Sequence, residues 1–122
     1  VEGLFSPTEH RFGVHAGEIE TSMMLALCPQ HVRMSQAQDF ASASQARAAA
    51  NPILGNGKSA KLGWAMQDYN PAGAAGNAAA ATAEKGRRVV DAAGLQLAAL
   101  LQEVSSLPLS TLDRDKDAPS VK

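Results

Sequence analysis

The sequence is poor in the residues that stabilise small independent domains. It contains a single cysteine, Cys28, so an intrachain disulfide and a cysteine-rich metal site are both excluded. Only three Phe, one Trp and one Tyr are spread over 122 residues. Alanine, glycine, serine and glutamine fill long stretches, and these residues bury little area. Because a chain of this length also buries only a modest fraction of its surface, we expect a thin core.

Two classes of partner have no signal in the sequence. The net charge is −1 and the Lys and Arg residues are scattered, whereas binding to nucleic acid phosphates needs clustered basic side chains. No apolar run approaches the length needed to cross a bilayer, and the first residues lack the basic and apolar regions of a signal peptide. We therefore expect no nucleic acid partner, no membrane partner and a cytoplasmic location.

The residues between Gly13 and Pro29 form the segment that indicates chemistry. Gly13 and Gly17 permit sharp turns on both sides of His15, so we expect the imidazole at a loop tip. From Glu18 onward the apolar residues recur at helical spacing, which predicts a helix that ends at Pro29. His15 then lies at a helix N-terminus, which suits proton transfer, although a structural histidine fits the same pattern.

The rest of the chain predicts connecting segments and one long helix. Residues 12–14 and 62–69 alternate in polarity as short strands do. Residues 36–50 lack a clear apolar stripe, which favours a connection with a partial helix. Residues 78–107 carry apolar side chains at a spacing of three and four, which predicts a long helix whose glycines could allow close packing. His10 and His31 are expected to be exposed polar residues.

Two strings in the sequence resemble a known family. HAGEIETSMMLALCPQHVRM, residues 15–34, resembles the signature of the creatininase (creatinine amidohydrolase) family, and DYNPAGAAGNAAAATAEKG, residues 68–86, is similar to the glycine-rich approach to the final helix of that family. The resemblance implies an α/β fold, namely the C-terminal part of a three-layer α/β/α domain with a mostly parallel sheet. On this basis residues 1–112 belong to that domain and residues 113–122 form a charged flexible tail.

The resemblance also implies an activity and its requirements. Creatininase-like enzymes hydrolyse an amide bond in a small, often cyclic substrate with two divalent metal ions, Zn or Mn. Their metal ligands precede the region seen here, so we expect no metal ligand in this chain and place the ligands in a missing N-terminal part. A homo-oligomer is expected as well.

Carried over residue by residue, the resemblance assigns roles within the first string. His15 becomes the proton-transfer residue beside the metal-activated water, and Glu20 orients the loop or the imidazole, with helix capping an equally open role for Glu20. Val14 stands where creatinine-cleaving members carry an acidic residue, which weakens the case for creatinine itself. Glu18 could supply a substrate-binding carboxylate from the next turn.

A second interpretation is not enzymatic. Without metal ligands, this chain could be a catalytically inactive fragment, or a structural module that keeps the packing surface of the family and serves only in association.

Overall fold

Helices contain most of the residues that the computed structural model describes, which are residues 3–60 and 63–112. The α-helices among these residues are α1 (Pro7–Phe12), α2 (Glu18–Leu27), α3 (Ala43–Ala50), α4 (Met66–Tyr69) and α5 (Ala83–Ser106). Short 3-10 turns lie at Pro29–His31, Met34–Gln36, Leu54–Asn56, Ala78–Ala80 and Leu109–Leu112.

A two-stranded antiparallel sheet joins distant parts of the chain. Strand β1 (Asp39–Phe40) pairs with β2 (Gly76–Asn77), so that Asp39 lies opposite Asn77 and Phe40 opposite Gly76. This is the one sheet of the described residues, so the mostly parallel sheet of a three-layer domain is not found in residues 3–60 and 63–112. That part of the expected fold stays a prediction.

The chain divides into two units, residues 1–92 and residues 93–122. The first unit contains helices α1 to α4, the sheet and the beginning of α5, and it holds the buried residues. Its buried apolar residues are one aromatic residue and four alanines: Phe5, Ala74, Ala75, Ala78 and Ala81. The thin core expected from the composition is confirmed for the described residues.

The second unit contains the end of α5 and the turn Leu109–Leu112. Its large apolar side chains are exposed, and four of them follow helical spacing: Leu97, Leu100, Leu101 and Val104. No helix in the described part of the chain, α5 included, is both long and apolar enough to cross a membrane.

Local capping explains where the first helix begins and ends. The Ser6 hydroxyl accepts a hydrogen bond from the Glu9 amide at 3.0 Å, and Pro7 occupies the first helical position, where its missing N–H costs nothing. The helix stops at Gly13, whose amide donates to the Glu9 carbonyl at 2.8 Å.

Helix α5 lies very close to α2 at one glycine. Gly86 is buried, and a β-carbon there would collide with the backbone carbonyl of Ser22. The Ser22 hydroxyl is fully buried and accepts a hydrogen bond from the Thr82 amide at 3.1 Å. The prediction that a glycine allows close helix packing is therefore confirmed at Gly86, whereas Gly94 meets no described atom within 4 Å.

The predicted elements are confirmed in part. The helix after His15 runs from Glu18 to Leu27, the long helix covers Ala83–Ser106, and the partial helix within residues 36–50 is α3. Residues 78–80 form a 3-10 turn rather than the start of the long helix. The tail, residues 113–122, lies outside the described residues.

Both predicted strands are wrong where the structure describes them. Residues 66–69 form helix α4, because the Asp68 carboxylate accepts a hydrogen bond from the Ala65 amide at 3.0 Å and closes a helical turn. Phe12 belongs to α1, and the extended pairing begins only at His15, which forms an isolated bridge with Ala75. Alternation over so few residues does not separate a strand from a turn of helix.

Candidate active site

The backbone of His15 is held by the chain segment just before β2. The Ala75 carbonyl accepts hydrogen bonds from the amides of Val14 at 2.8 Å and His15 at 3.3 Å, and the Ala75 amide donates to the His15 carbonyl at 2.8 Å. Ala75 is completely buried, while 57% of the His15 side chain is exposed. A fixed backbone thus presents an accessible imidazole, as the loop-tip prediction requires.

Glu20 reaches back from the first turn of α2 to the same loop. Its Oε2 atom lies 3.2 Å from Nδ1 of His15 and accepts a hydrogen bond from the Ala16 amide at 2.7 Å. Ala16 has a φ of 52°, in the left-handed region that a non-glycine residue seldom adopts, and the Thr21 hydroxyl donates to its carbonyl at 3.2 Å. The first turn of α2 therefore stabilises the strained turn that carries His15.

This contact gives the two imidazole nitrogens different tasks. Nδ1 faces the Glu20 carboxylate, so Nε2 is the nitrogen left open to accept a proton or, once protonated, to donate one. A carboxylate beside Nδ1 also sets the orientation of the ring. The pair can therefore act as a general acid or base, which is the chemistry predicted for His15 and Glu20.

Glu9 organises the site from a buried position. Its side chain is only 5% exposed, and Oε1 accepts hydrogen bonds from the amides of Glu18 at 2.7 Å and Ile19 at 3.4 Å. Oε2 accepts one from the Asn77 amide at 2.9 Å. The carboxylate thus caps α2, whose N-cap residue Gly17 has no capping side chain, and ties it to β2.

Glycines make room for this buried carboxylate. A β-carbon at Gly13, Gly17 or Gly76 would collide with the Glu9 side chain. The glycines around His15 therefore serve close packing on Glu9. The expectation that they supply the special backbone angles of the turn is wrong, since both have negative φ and the left-handed residue is Ala16. Sequence reasoning missed Glu9, because its partner Asn77 lies 68 residues further along the chain.

Glu18 lies away from the imidazole. It is 5% exposed and forms an ion pair with Lys85, whose Nζ also donates to the Ala80 carbonyl at 3.1 Å. Among the described residues no hydrogen bond or ion pair joins Glu18 to His15. The substrate-binding role of Glu18 stays a prediction.

The other two histidines lie apart from the His15 and Glu20 pair. His10 is exposed on α1 and its ring meets Phe5 edge-on, with the centroids 6.0 Å apart. His31 is exposed in the 3-10 turn after α2. Both match the expected exposed polar residues.

A cavity of about 260 Å³ opens beside His15. Its volume lies just below the usual range of ligand pockets, which begins at about 300 Å³, and it combines polar and apolar walls. Its walls include Val14, His15, Ile19, Glu20 and Met23.

The described side chains lack the grouping that a metal ion needs. In residues 3–60 and 63–112, no three His, Cys, Asp or Glu side chains come together where they could hold an ion.

Comparison with known proteins connects this geometry to a family. The sequence profile of the creatininase family, described as creatinine amidohydrolase, matches residues 1–101. The crystal structure of a candidate creatinine amidohydrolase from Bacteroides fragilis NCTC 9343 superimposes with a TM-score of 0.65 at 33% sequence identity. The match covers 87% of this chain and 41% of that protein, so the chain spans less than half the length of its structural relative. No curated protein matches the chain significantly.

Proposed function

Because the chain belongs to the creatininase family, we propose that it forms the C-terminal part of an amidohydrolase in which His15 transfers a proton at the amide bond of a small molecule. The α/β structural relative and the family match support a hydrolase role. The observation that carries the proposal is the contact of 3.2 Å between Nδ1 of His15 and the Glu20 carboxylate on an exposed, well-held loop.

The proposed chemistry follows from this contact. Hydrolysis adds the oxygen of water to the amide carbon and expels nitrogen, which leaves readily only after it receives a proton. In this proposal Nε2 of His15 carries that proton, and the Glu20 carboxylate, 3.2 Å from Nδ1, orients the ring. Glu9 acts as a positioning residue, since it fixes the start of α2 from which Glu20 projects.

Proteins of this family generally depend on metal ions. We place the divalent ions, Zn or Mn, on ligands outside this chain, where they would supply activated water. Small cyclic and formyl amides are the proposed substrate class. Val14 and Glu18 are the residues that we propose to influence which amide binds.

Exposed apolar surface supports the placement of this chain within a larger domain. Leu97, Leu100, Leu101 and Val104 on α5 are each more than half exposed, and so is Leu27 at the end of α2. Such side chains normally lie against other protein. We propose that an N-terminal part with a mostly parallel sheet covers them. We also propose that the complete protein is a cytoplasmic homo-oligomer.

The second candidate is an association module without catalysis. The lack of a metal-holding group among the described residues, together with the exposed leucines, favours it for this chain alone. Titration of the chain with Zn²⁺ or Mn²⁺ tests where the ligands lie. Tight stoichiometric binding to the chain alone would contradict their placement in the missing part.

His15→Ala in the full-length protein tests the proposal. Turnover of a panel of cyclic and formyl amides should fall about 10²- to 10⁴-fold, the usual worth of a positioned acid or base, while metal content stays the same. The pH–rate profile should also lose one limb. His31→Ala is the matched control, since it removes an exposed imidazole elsewhere and should leave turnover unchanged.

Two outcomes would contradict the assignment. Loss of bound metal from His15→Ala would make His15 a ligand instead of a proton carrier. Unchanged turnover across the panel would leave it a structural residue.

A further inference from the structure

A second cavity, of about 310 Å³, shares one wall with the cavity at His15. Val14 lines both, so a molecule in one cavity lies next to the other. We call it the arginine pocket, and its walls include Arg11, Phe12, Val14, Arg47, Leu54 and Tyr69.

The charge of this pocket is one-sided. Arg11 and Arg47 both line it, and none of the described residues in its wall carries a carboxylate. A guanidinium presents several N–H donors in one plane, which matches the two oxygens of a carboxylate. The pocket therefore offers two guanidinium groups, and no carboxylate among the described wall residues neutralises them.

Arg47 is fixed in place yet has an unsatisfied donor. Its Cζ lies 4.3 Å from the centroid of the Trp64 ring and 5.7 Å from that of Tyr69, and Nη1 donates to the Asp68 carbonyl at 3.5 Å. Nη2 is buried and has no hydrogen-bond partner among the described residues. A buried donor without a partner is costly, so an acceptor in the pocket relieves this cost if the guanidinium turns Nη2 toward it.

Arg11 supplies the second guanidinium from a more exposed position. Its Nη2 donates to the Gly55 carbonyl at 3.4 Å, and its Cζ lies 4.8 Å from the centroid of the Phe12 ring. Both contacts hold the side chain at the pocket while leaving further N–H groups for a ligand. Phe12 and Leu54 add apolar walls that suit a short carbon skeleton.

We propose that the arginine pocket binds the carboxylate of a substrate whose amide bond lies at His15. The substrate class is then an amide that carries a carboxylate, such as an N-acyl or N-formyl amino acid or a carboxylated lactam. This inference rests on the proposed amidohydrolase function, because it locates the reacting bond by His15. The shared wall at Val14 places the two groups of such a molecule in adjacent cavities.

Calorimetric titration of the full-length protein tests the binding step apart from catalysis. The probes are N-acetylglycine, its neutral counterpart N-acetylglycinamide, and inorganic phosphate. N-acetylglycine should bind roughly 10- to 100-fold more tightly than the neutral amide, the worth of one charge-assisted hydrogen-bond set. Equal binding of the first two probes would overturn the proposal, and tighter binding of phosphate would make the pocket a phosphate site instead.

Variants locate the binding. Arg47→Gln and Arg11→Gln should each weaken N-acetylglycine roughly 10-fold or more and leave the neutral probe unaffected. Arg11 is exposed, so its variant gives a result even if Arg47→Gln fails to fold. Arg88→Gln is the matched control, because it removes the same charge from an exposed position on α5 outside the pocket. A loss equal to that of the control would refute the assignment.

Kinetics separate this proposal from the proposed function. Arg11→Gln should raise KM for carboxylated amides without changing kcat, whereas His15→Ala should lower kcat and leave the binding of N-acetylglycine intact. Binding with no hydrolysis of any amide would refute the amidohydrolase alone. Hydrolysis with equal KM for carboxylated and neutral amides would refute the pocket alone.

Discussion

Replacement of the buried Glu9 by glutamine tests how the candidate site is built. Glutamine keeps the size of the side chain, but one of its two terminal atoms becomes an NH₂ group. If the remaining oxygen stays on the Glu18 amide, then the NH₂ group faces the Asn77 amide, and two donors meet. A rotation of the side chain only moves this conflict to the other partner.

The magnitude follows from burial and charge. Hydrogen bonds to an ionised acceptor contribute about 1.5 to 3 kcal/mol each, and Glu9 is 5% exposed, so water does not replace a lost one. Glu9→Gln loses one such bond, leaves one buried donor unsatisfied and removes a negative charge from the N-terminus of α2. We expect a loss of about 2 to 4 kcal/mol in the free energy of unfolding.

Urea denaturation of the full-length protein measures this loss. The midpoint should fall while the slope of the unfolding free energy against urea stays constant. Glu84→Gln is the matched control, because Glu84 also lies in the first turn of a helix, α5, but is exposed. If Glu9→Gln is as stable as this control, then Glu9 is not the link between α2 and β2 that we describe.

Two further predictions concern the helices around the site. Gly86→Ala should destabilise the protein by about 1 to 3 kcal/mol, because its β-carbon would meet the Ser22 carbonyl. Gly94→Ala should instead stabilise α5 by up to about 1 kcal/mol, because nothing described lies within 4 Å of the added β-carbon. Equal effects of the two variants in thermal melts would contradict this packing. Glu20→Gln should lower kcat by less than His15→Ala does, at unchanged KM, because it keeps the imidazole but removes the carboxylate that lies 3.2 Å from Nδ1 and orients the ring. An unchanged kcat would leave Glu20 a capping residue.

The local features of this protein were open to prediction from its sequence. Helices α2 and α5 follow from a spacing of three and four, which depends only on residues within two turns of one another. The resemblance of residues 15–34 to the creatininase signature correctly indicated the family. The glycines beside His15 marked the loop, although its left-handed residue is Ala16 and the glycines make room for Glu9. The contact of Glu20 with His15 was also within reach, since five residues separate them.

Only the tertiary structure decided which groups meet across long separations. Glu9 looks like an ordinary residue of a short helix, and its role appears when the Asn77 amide, 68 residues away, joins that of Glu18 at one carboxylate. Arg47 becomes part of a pocket because Trp64 stacks on it, in a region whose alternating pattern predicted a strand. A segment of sequence sets its own backbone preference. Which polar groups become buried, and which of them find a hydrogen-bond partner, depends on the distant residues that the fold brings to that segment.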